Sequence, residues 1–466
     1  MSNRALAFTA EHLLGILTSF PVVKSYVVGF SGGADSTALL HAISLIRSKL
    51  EVPVSAVHVN HSIHQDADAW QRQCEDFCHR HGMELCCLKV ELKNRSGKGM
   101  EAEARHLRYE AVSDLLKPAD CLLTAHHADD QAETLLLNLM RGSGVDGLTA
   151  MPESRPLGQG FLQRPLLRFK NSALKNYLRE NSIEWTEDPS NHHLNHDRNF
   201  VRHQVIPLLE QRWPKVNQRL LLTRDAMADA RLLLETLADD YLDANLSHPF
   251  VLKITHPCRT NPRLIKLVIR RWTRQSGASG IPVYKLESFC DQLQLTGSDH
   301  KISVQWDDWL LHWYKNQLWL HTAKGISPCP AVNWPKGKSE VDLGKDVGQL
   351  VLMTEAHANG EAEQRDYQPP DGALSVGGRG NTTETVISLG GHHKSLKNLF
   401  QSTDIPPWLR DSIPLCKLDG ELVAMGDWCF NEGFALWLSD NGIRLNWRPG
   451  HPLLQFILKQ QHPVNH

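Results

Sequence analysis

The sequence predicts an α/β protein with a doubly wound, mostly parallel sheet, followed by two smaller α+β domains. Between residues 22 and 140, short apolar runs typical of strands alternate with segments whose apolar residues recur at helical spacing. Beyond residue 202, helical patterns are instead followed by strand patterns joined through short turns. The length of 466 residues also exceeds that of one ordinary domain.

The predicted strands of the first part are short, apolar and bounded by polar or glycine-rich segments. They are residues 26–30, 54–60, 85–91 and 120–125, and the predicted helices between and after them are residues 36–47, 66–80, 101–117 and 129–140. Ligands of parallel sheets bind at the carboxyl ends of the strands. Ser31, His58–His61 and His126–Asp130 follow three of these strands, so we expect them to meet at one crevice.

The later part of the chain has weaker patterns. Helices are predicted within residues 202–245 and 261–295, and strands at 302–306, 309–314 and 317–321. Residues 323–380 are rich in Gly, Pro and polar residues, which is typical of exposed connections. The predicted segments are a first domain at 1–215, a second at 216–325, a linker with weak strands at 326–384 and a last domain at 385–452.

The composition excludes several classes of protein. The formal net charge of −2 argues against a uniformly basic nucleic-acid binder, although it permits a basic patch on one face. No uncharged apolar run approaches the roughly 20 residues that span a bilayer, and no signal-type cleavage site is clear. We therefore expect a cytoplasmic protein that does not enter a membrane. The ten cysteines include no C-x₂-C pair, so neither a zinc ribbon nor an iron–sulfur site is predicted.

A glycine-rich loop is the strongest chemical signal in the chain. The apolar run Val27–Phe30 ends in Ser31, Gly32, Gly33, Ala34, Asp35 and Ser36, and a helical pattern follows. The glycines permit close backbone approach, and the helix N-terminus presents N–H groups that favour an anion. These six residues are therefore the predicted phosphate cradle. The lysine of a Walker A loop is missing, and Asp35 in its place favours a Mg²⁺ ion beside a polyphosphate.

A second signal follows the strand at 120–125. His126, His127, Asp129 and Asp130 stand where that strand meets a helix, and Glu133 follows one turn later. Acidic residues in a first turn can simply stabilise the helix dipole. Two histidines and three carboxylates exceed what capping requires, so we interpret the segment as part of the site.

Arginine pairs at helical spacing form the third signal. Arg105 and Arg108 are three residues apart, for which a solvated helix face is the simpler interpretation, and Arg198 and Arg202 are four apart. Two guanidinium groups on one face suit a phosphate or developing negative charge.

Taken together, the motifs resemble one family. FSGGADS is similar to the loop of the PP-loop ATP pyrophosphatases, whose fold is adenine nucleotide alpha hydrolase-like. FSGGADS, AHHADDQAET, RGSGVDGL, RPLL, EDPSN and DRNFVRHQVIPLL occur in the order found in tRNA(Ile)-lysidine synthetases. Residues 391–401 and 405–411 are similar to the last domain of that family.

The resemblance implies a ligase reaction. ATP would adenylate the C2 oxygen of the wobble cytidine of an isoleucine tRNA with a CAU anticodon. The ε-amine of free L-lysine would then attack C2 and give lysidine, AMP and pyrophosphate. The implied cofactors are ATP and Mg²⁺, and the implied partners are the tRNA and lysine. A homodimer stays open beside a monomer.

The resemblance also implies roles for individual residues, with several acidic side chains left as alternatives. The implied catalytic residues are Asp35, Arg105, His127, Asp130, Arg198 and Arg202, with Asp35 and Asp130 as Mg²⁺ ligands. The candidates for holding lysine are Asp130, Glu133, Asp146 and Asp188. The candidates for binding tRNA are Lys394 and Lys397, expected on one helix face, with Trp408 and Arg410 nearby.

Three other functions compete with this interpretation. A tRNA thiolase built on the same loop would adenylate a base but deliver sulfur, generally with catalytic cysteines, and Cys121 is the best-placed candidate here. An amide-forming ligase such as a GMP or NAD synthetase would not need the C-terminal segments or DRNFVR. A non-catalytic RNA-binding module would not need intact SGGADS and HHADDQ segments.

Overall fold

The computed structural model describes residues 7–60, 67–90, 100–187, 196–295, 302–335, 337–354, 372–380, 386–389 and 392–462. The chain divides into two compact units, an N-terminal unit, Met1–Leu234, and a C-terminal unit, Glu235–His466. None of the described helices is both long and apolar enough to cross a membrane.

The described residues of the N-terminal unit form six strands and nine complete helices, and a tenth helix begins in this unit and ends in the next. The strands are β1 Ser25–Gly29, β2 Val54–Asn60, β3 Glu84–Lys89, β4 Asp120–Leu123, β5 Ser154–Leu157 and β6 Gly160–Gln163. The helices are α1 Ala10–Ser19, α2 Ala34–Ile46, α3 Ala67–Arg80, α4 Met100–Leu115, α5 Ala128–Met140, α6 Val145–Leu148, α7 Asn171–Glu180, α8 Asp197–Phe200, α9 Ile206–Arg212 and α10 Val216–Asn245. A 3₁₀ turn, Arg47–Lys49, follows α2, and a π-helical segment, Val201–Val205, joins α8 to α9.

The six strands form one sheet in the order β3-β2-β1-β4-β6-β5, in which all neighbours are parallel except β5 and β6. Adjacent residues of a strand face opposite sides of a sheet. Accordingly, Val28 of β1 packs in one apolar cluster with Leu39 of α2, whereas Val27 packs in another with Val112 of α4. Helices thus cover both faces, which confirms the predicted doubly wound class.

The C-terminal unit is built from short antiparallel strands and helices. Its strands are β7 Leu246–His248, β8 Val251–Lys253, β9 Ile302–Trp306, β10 Trp309–Tyr314, β11 Gln317–Thr322, β12 Val332–Asn333, β13 Glu340–Asp342, β14 Gln349–Thr354, β15 Leu374–Gly377, β16 Val386–Leu389, β17 His392–Ser395, β18 Leu415–Leu418, β19 Glu421–Met425, β20 Cys429–Phe430 and β21 Ile443–Arg448. Its helices are α11 His256–Thr260, α12 Pro262–Gln275, α13 Val283–Leu295, α14 Leu396–Ser402, α15 Glu432–Asp440 and α16 Pro452–Gln461, with a 3₁₀ turn at Pro407–Ser412.

These strands form four sheets. The first, β7-β8-β11-β10-β9, packs against α12 and α13 through buried side chains such as Trp272 and Phe289. Two others have the orders β12-β15-β18-β19-β20 and β13-β14-β21, and β16 pairs with β17. The segment predicted as a linker, residues 326–384, therefore contains the strands β12 to β15. Of these, β14 pairs with β21 and β15 pairs with β18. The predicted domain boundaries themselves stay a prediction.

The predicted elements of residues 22–140 differ from the observed ones by at most two residues at either end. The sequence analysis did not predict α1, the β5–β6 hairpin or α7. This matters for the site, because α7 supplies one of its side chains.

Candidate active site

The glycine loop connects β1 to α2 and has the predicted backbone geometry. Gly32 has a φ of +80°, and a Cβ atom there would approach the Cys74 thiol at 3.2 Å, so the position requires glycine. Its carbonyl accepts hydrogen bonds from the Thr37 hydroxyl at 3.2 Å and the Thr186 N–H at 3.0 Å. Gly33 is the N-cap of α2 and has no side chain to cap the helix, which leaves first-turn N–H groups for a ligand.

The two serines of the loop bind each other. Ser36 is buried, and its hydroxyl accepts the Ser31 N–H at 3.2 Å and donates to the Gly33 carbonyl at 3.0 Å. The Ser31 and Ser36 hydroxyls lie 3.1 Å apart. Ser36 therefore fixes the shape of the loop, while the exposed Ser31 is the serine open to a ligand.

A cleft of about 270 Å³ opens beside the loop, at the carboxyl ends of β1, β2 and β4. Its apolar wall comes from Val57, Val59, Val112 and Leu122, among others. Its polar wall comes from Ser31, Asp35, Arg105, Arg108, His126 and Asp130. The cleft thus joins an apolar surface suited to a planar base with charged groups suited to a polyphosphate.

His127 is the centre of a carboxylate cluster next to this cleft. It is 4% exposed and is the N-cap of α5. Its Nε2 lies 3.4 Å from Asp35 Oδ2 and 3.5 Å from Asp130 Oδ2, and its Nδ1 lies 3.8 Å from Asp129 Oδ2. The imidazole therefore links the glycine loop to the first turn of α5.

Burial and the neighbouring charges shift the pKa values of His126, His127 and Asp130. Burial alone would lower the pKa of His127, but Asp130, Asp35 and Asp129 outweigh it and raise that pKa to about 9. Burial also opposes ionisation of Asp130, but His127 and Arg198 lower its pKa to about 2. Burial lowers the pKa of His126 to about 3. These shifts favour the charged forms of His127 and Asp130 and the neutral form of His126 near neutral pH. The Asp130 N–H lies 3.4 Å from His127 Nδ1, a hydrogen bond that only the neutral imidazole can accept.

Arg198 and Arg202 both clamp the first turns of α5. Arg198 donates from Nε to Glu133 Oε2 and from Nη2 to Asp130 Oδ1, each at 2.8 Å. Arg202 donates from Nε to Glu133 Oε1 at 2.6 Å and from Nη2 to Asp130 Oδ1 at 2.9 Å. Arg202 Nη2 also donates to Glu133 Oε2 at 2.9 Å, so three charge-assisted hydrogen bonds satisfy the carboxylate of Glu133, which is only 1% exposed. The predicted pairing of the arginines on one face is thus confirmed, and the partners are carboxylates.

The two arginines lie on either side of the junction between α8 and a π-helical segment. Arg198 belongs to α8, and Arg202 belongs to the π-helical segment Val201–Val205. Single π turns inside helices are frequent at functional sites. From this junction, both guanidinium groups reach Asp130 and Glu133.

The structure adds two asparagines that the sequence analysis missed. The side-chain amide of Asn171, the first residue of α7, donates to Asp35 Oδ1 at 2.6 Å, and its backbone N–H donates to Asp129 Oδ2 at 2.9 Å. Asn217 donates from Nδ2 to Asp129 Oδ1 at 3.1 Å. Neither residue belongs to a spaced motif, so no signal of the kind used for the sequence could identify them.

The residues present suit a Mg²⁺ ion bound chiefly through substrate oxygens. Within the described residues, no group of three or more His, Cys, Asp or Glu side chains is arranged to hold a metal ion. The Asp35 side chain is 33% exposed and lines the cleft, whereas Asp130 already contacts two arginines and His127. Mg²⁺ is commonly held by one or two carboxylates together with substrate phosphates, which fits Asp35.

Comparisons with known proteins agree with this geometry. Three family models match: a PP-loop domain at residues 9–209, a TilS substrate binding domain at 261–319 and a TilS substrate C-terminal domain at 374–447. A tRNA(Ile)-lysidine synthase from Alkalilimnicola ehrlichii is 36% identical over 438 residues, covering 92% of this chain and 93% of the relative. The chain belongs to the tRNA(Ile)-lysidine synthase family. The enzyme of that name from Methylococcus capsulatus is 35% identical over 440 residues, covering 91% and 97% of the two chains.

One solved structure that matches this lysidine synthase family member has low sequence identity to it. A U34-tRNA thiolase from Methanococcus maripaludis aligns with a TM-score of 0.39 and 16% identity, covering 47% of this chain and 78% of the thiolase. That likeness is too low to support any inference about chemistry.

Three other predicted site residues belong to the N-terminal unit: Arg105, Asp146 and Asp188. Arg105 lines the cleft, and its guanidinium lies 5.6 Å from the ring centre of Tyr109. Asp146 is exposed on α6. Asp188 lies outside the described residues.

The predicted tRNA-binding residues all lie within the family model of the C-terminal domain. The expectation that Lys394 and Lys397 share a helix face is wrong, because Lys394 belongs to β17 and Lys397 to α14. Ser395 caps α14 by accepting the Asn398 N–H at 3.3 Å, so the helix begins between the two lysines. Both lysines are exposed.

Trp408 and Arg410 have clear packing roles in the C-terminal unit. The Trp408 ring stacks on His312 with a centroid distance of 4.0 Å. Arg410 is 8% exposed, donates from Nε to the Ile405 carbonyl at 3.0 Å and lies over the Phe400 ring. A role for either residue in binding tRNA stays a prediction.

Proposed function

We propose that this protein joins lysine to the wobble cytidine of an isoleucine tRNA with a CAU anticodon and so forms lysidine. Membership of the lysidine synthase family supports the reaction class, and the PP-loop family supports the use of ATP. The observation that carries the proposal is the meeting of the glycine loop, the Asp35 and Asp130 carboxylates and Arg105 at one cleft.

Two steps complete the proposed reaction. In the first, the C2 oxygen of cytidine attacks the α-phosphorus of ATP, an O–P bond forms and pyrophosphate leaves. In the second, the neutral ε-amine of lysine attacks C2, a C–N bond forms, and AMP leaves with the former C2 oxygen. The amine nitrogen loses a proton in this step.

The charge states assign roles to the side chains in this proposal. The carboxylates around His127 raise its pKa to about 9, which favours the imidazolium, so a carboxylate of the site is the better acceptor for the proton of the amine. His127 supplies positive charge beside Asp35 instead. Arg105 faces the cleft and is placed to contact the nucleotide or the flipped base.

Mg²⁺ completes the proposed ATP site, with Asp35 as its protein ligand. When bound, the ion neutralises charge that develops on the phosphates. The loop N–H groups at Gly33 and Ala34 then orient the polyphosphate through the N-terminus of α2.

The proposal also includes free L-lysine as amine donor and action in the cytoplasm, and it leaves a monomer and a homodimer as alternatives. Glu133 is not assigned to lysine, because it is 1% exposed and both oxygens accept from arginine. Asp130, Asp146 and Asp188 are the acidic residues that the proposal retains for the lysine ammonium group. Sedimentation velocity tests the homodimer.

The best-placed thiol for the thiolase alternative, Cys121, is unsuited to that chemistry. Cys121 is fully buried in β4, and burial raises the pKa of its thiol to about 12. Its Sγ lies 3.1 Å from Gln163 Oε1. A buried, protonated thiol is a poor sulfur carrier.

The decisive experiment incubates the protein with an unmodified isoleucine tRNA transcript, ATP, Mg²⁺ and lysine labelled with ¹⁴C. We expect label in the RNA, approaching one lysine per tRNA, and release of AMP and pyrophosphate. A transcript with uridine at the wobble position and a reaction with Nε-acetyl-lysine are matched controls that should incorporate nothing. Absence of label with intact ATP binding would overturn the proposal, and incorporation of labelled sulfur instead would favour the thiolase.

A further inference from the structure

We propose that Asn171 is a positioning residue that orients the Asp35 carboxylate for the bound Mg²⁺–ATP. This inference rests on the proposed function, because it concerns the same ATP site. Asn171 begins α7, an element whose sequence carries no phosphate-binding motif, and it reaches the glycine loop 136 residues earlier in the chain.

Asn171 donates hydrogen bonds to two carboxylates of the site, Asp35 and Asp129. Its amide Nδ2 donates to Asp35 Oδ1 at 2.6 Å, which leaves Asp35 Oδ2 facing His127 Nε2 at 3.4 Å. Its backbone N–H donates to Asp129 at 2.9 Å and does not depend on the side chain. Substitution of Asn171 therefore removes the Asp35 contact while the anchor of α7 on α5 persists.

A neutral amide is suited to this task. An arginine or lysine at the same point would neutralise Asp35 and compete with a cation for it, whereas an amide donates one hydrogen bond without charge. His127 Nε2 lies beside the other oxygen of the carboxylate, 3.4 Å from Asp35 Oδ2. Asp35 is thus held on both oxygens and still keeps lone pairs toward the cleft.

The chain offers a matched control in Asn217. It makes the same kind of bond, from amide Nδ2 to a carboxylate oxygen of Asp129 at 3.1 Å. It belongs to the same unit and the same hydrogen-bonded cluster, but its carboxylate partner is Asp129 and not Asp35. A purely structural role for these amides predicts similar effects at the two positions.

The experiment compares Asn171→Ala, Asn171→Leu and Asn171→Gln with Asn217→Ala and Asn217→Leu in the full chain. Leucine preserves the shape of asparagine without its hydrogen bonds, and glutamine preserves the amide on a longer arm. We expect the kcat of lysidine formation to fall roughly 10- to 100-fold in the Asn171 Ala and Leu variants, because a misplaced ligand group costs about that much. The KM values for lysine and tRNA should stay unchanged, glutamine should restore part of the rate, and the Asn217 variants should lose clearly less kcat than the Asn171 variants.

Calorimetric titration with Mg²⁺–ATP, and with ATP in EDTA, supplies a measurement that does not require lysidine. The Asn171 Ala and Leu variants should bind Mg²⁺–ATP about tenfold more weakly, as expected for loss of a hydrogen bond to a charged group, and bind metal-free ATP like the wild type. If the wild type binds Mg²⁺–ATP but forms no lysidine, the proposed function fails while this difference still supports the role of Asn171. Equal losses at Asn171 and Asn217, or no loss at Asn171, would overturn the inference.

Discussion

Replacing Glu133 by glutamine tests whether the arginine clamp stabilises the N-terminal unit. Glu133 is 1% exposed and accepts hydrogen bonds from Arg198 and Arg202, so glutamine would keep its volume but remove the charge that holds both. Breaking a fully buried ion pair costs about 3–5 kcal/mol. The two arginine side chains are 23% and 34% exposed and retain Asp130 as a partner, which reduces the expected cost to about 2 kcal/mol.

For a unit of this size, a loss of about 2 kcal/mol lowers Tm by roughly 4–8 °C. Differential scanning calorimetry measures this change in Tm. The transition whose Tm increases when ATP is added identifies the N-terminal unit. Asp225→Asn is the matched control, because Asp225 pairs with Arg224 at 2.7 Å but is 60% exposed. That surface pair is worth less than about 1 kcal/mol. An ATP-sensitive transition that shifts no more in Glu133→Gln than in Asp225→Asn would refute the idea that the clamp stabilises the unit.

Three further predictions concern charge. Asp35→Asn should abolish lysine incorporation while circular dichroism stays that of the wild type, and near-normal turnover at saturating Mg²⁺–ATP would contradict its role. The pKa of His127 is raised by its carboxylates to about 9, so its stabilising charge is fully present below about pH 6.5 and is lost as the pH rises through 9. The free energy of unfolding, measured with urea, should therefore fall over that pH window in the wild type and stay constant in His127→Gln. The same pH dependence in both proteins would show that His127 does not carry the effect. Replacing Lys394 and Lys397 by alanine should lower the salt slope of log K for tRNA by roughly 0.7–0.9 per lost contact, with Lys417→Ala as a single-lysine comparison. An unchanged slope would place these lysines outside the interface.

The first part of the fold was predictable because its signals are local. Strands such as Val54–Asn60 are short and rich in valine, and helices such as Ala67–Arg80 show clear apolar periodicity. The glycine loop and the acidic N-terminus of α5 also carry their chemistry in adjacent residues. Their meeting at one crevice follows from parallel topology, since the carboxyl ends of neighbouring strands lie at one edge of the sheet.

The parts that were missed depend on contacts between distant residues. Asn171 and Asn217 reach carboxylates 136 and 88 residues away, and a single amide has no periodicity that reveals such a contact. The arginine pair was predicted, but its carboxylate partners were assigned to lysine because burial of Glu133 cannot be read from spacing. The burial of Arg410 was hidden in the same way, since arginine is usually exposed. The break between Lys394 and Lys397 did have a local signal, the capping residue Ser395.

The pairing of β14 with β21 affects how the chain folds during synthesis. Gln349 lies opposite Arg448, so this sheet closes only after almost one hundred further residues have been made. The sheet of the N-terminal unit, in contrast, has all its strands by Gln163. Domains generally fold as units on the ribosome, beginning at the N-terminus, and long-range strand pairing is slow. A nascent chain therefore acquires its phosphate loop early and carries β13 and β14 without their final neighbour until Arg448 has been made. During that interval the edge of β14 is open to incorrect pairing, and premature termination after residue 354 leaves it permanently unpaired.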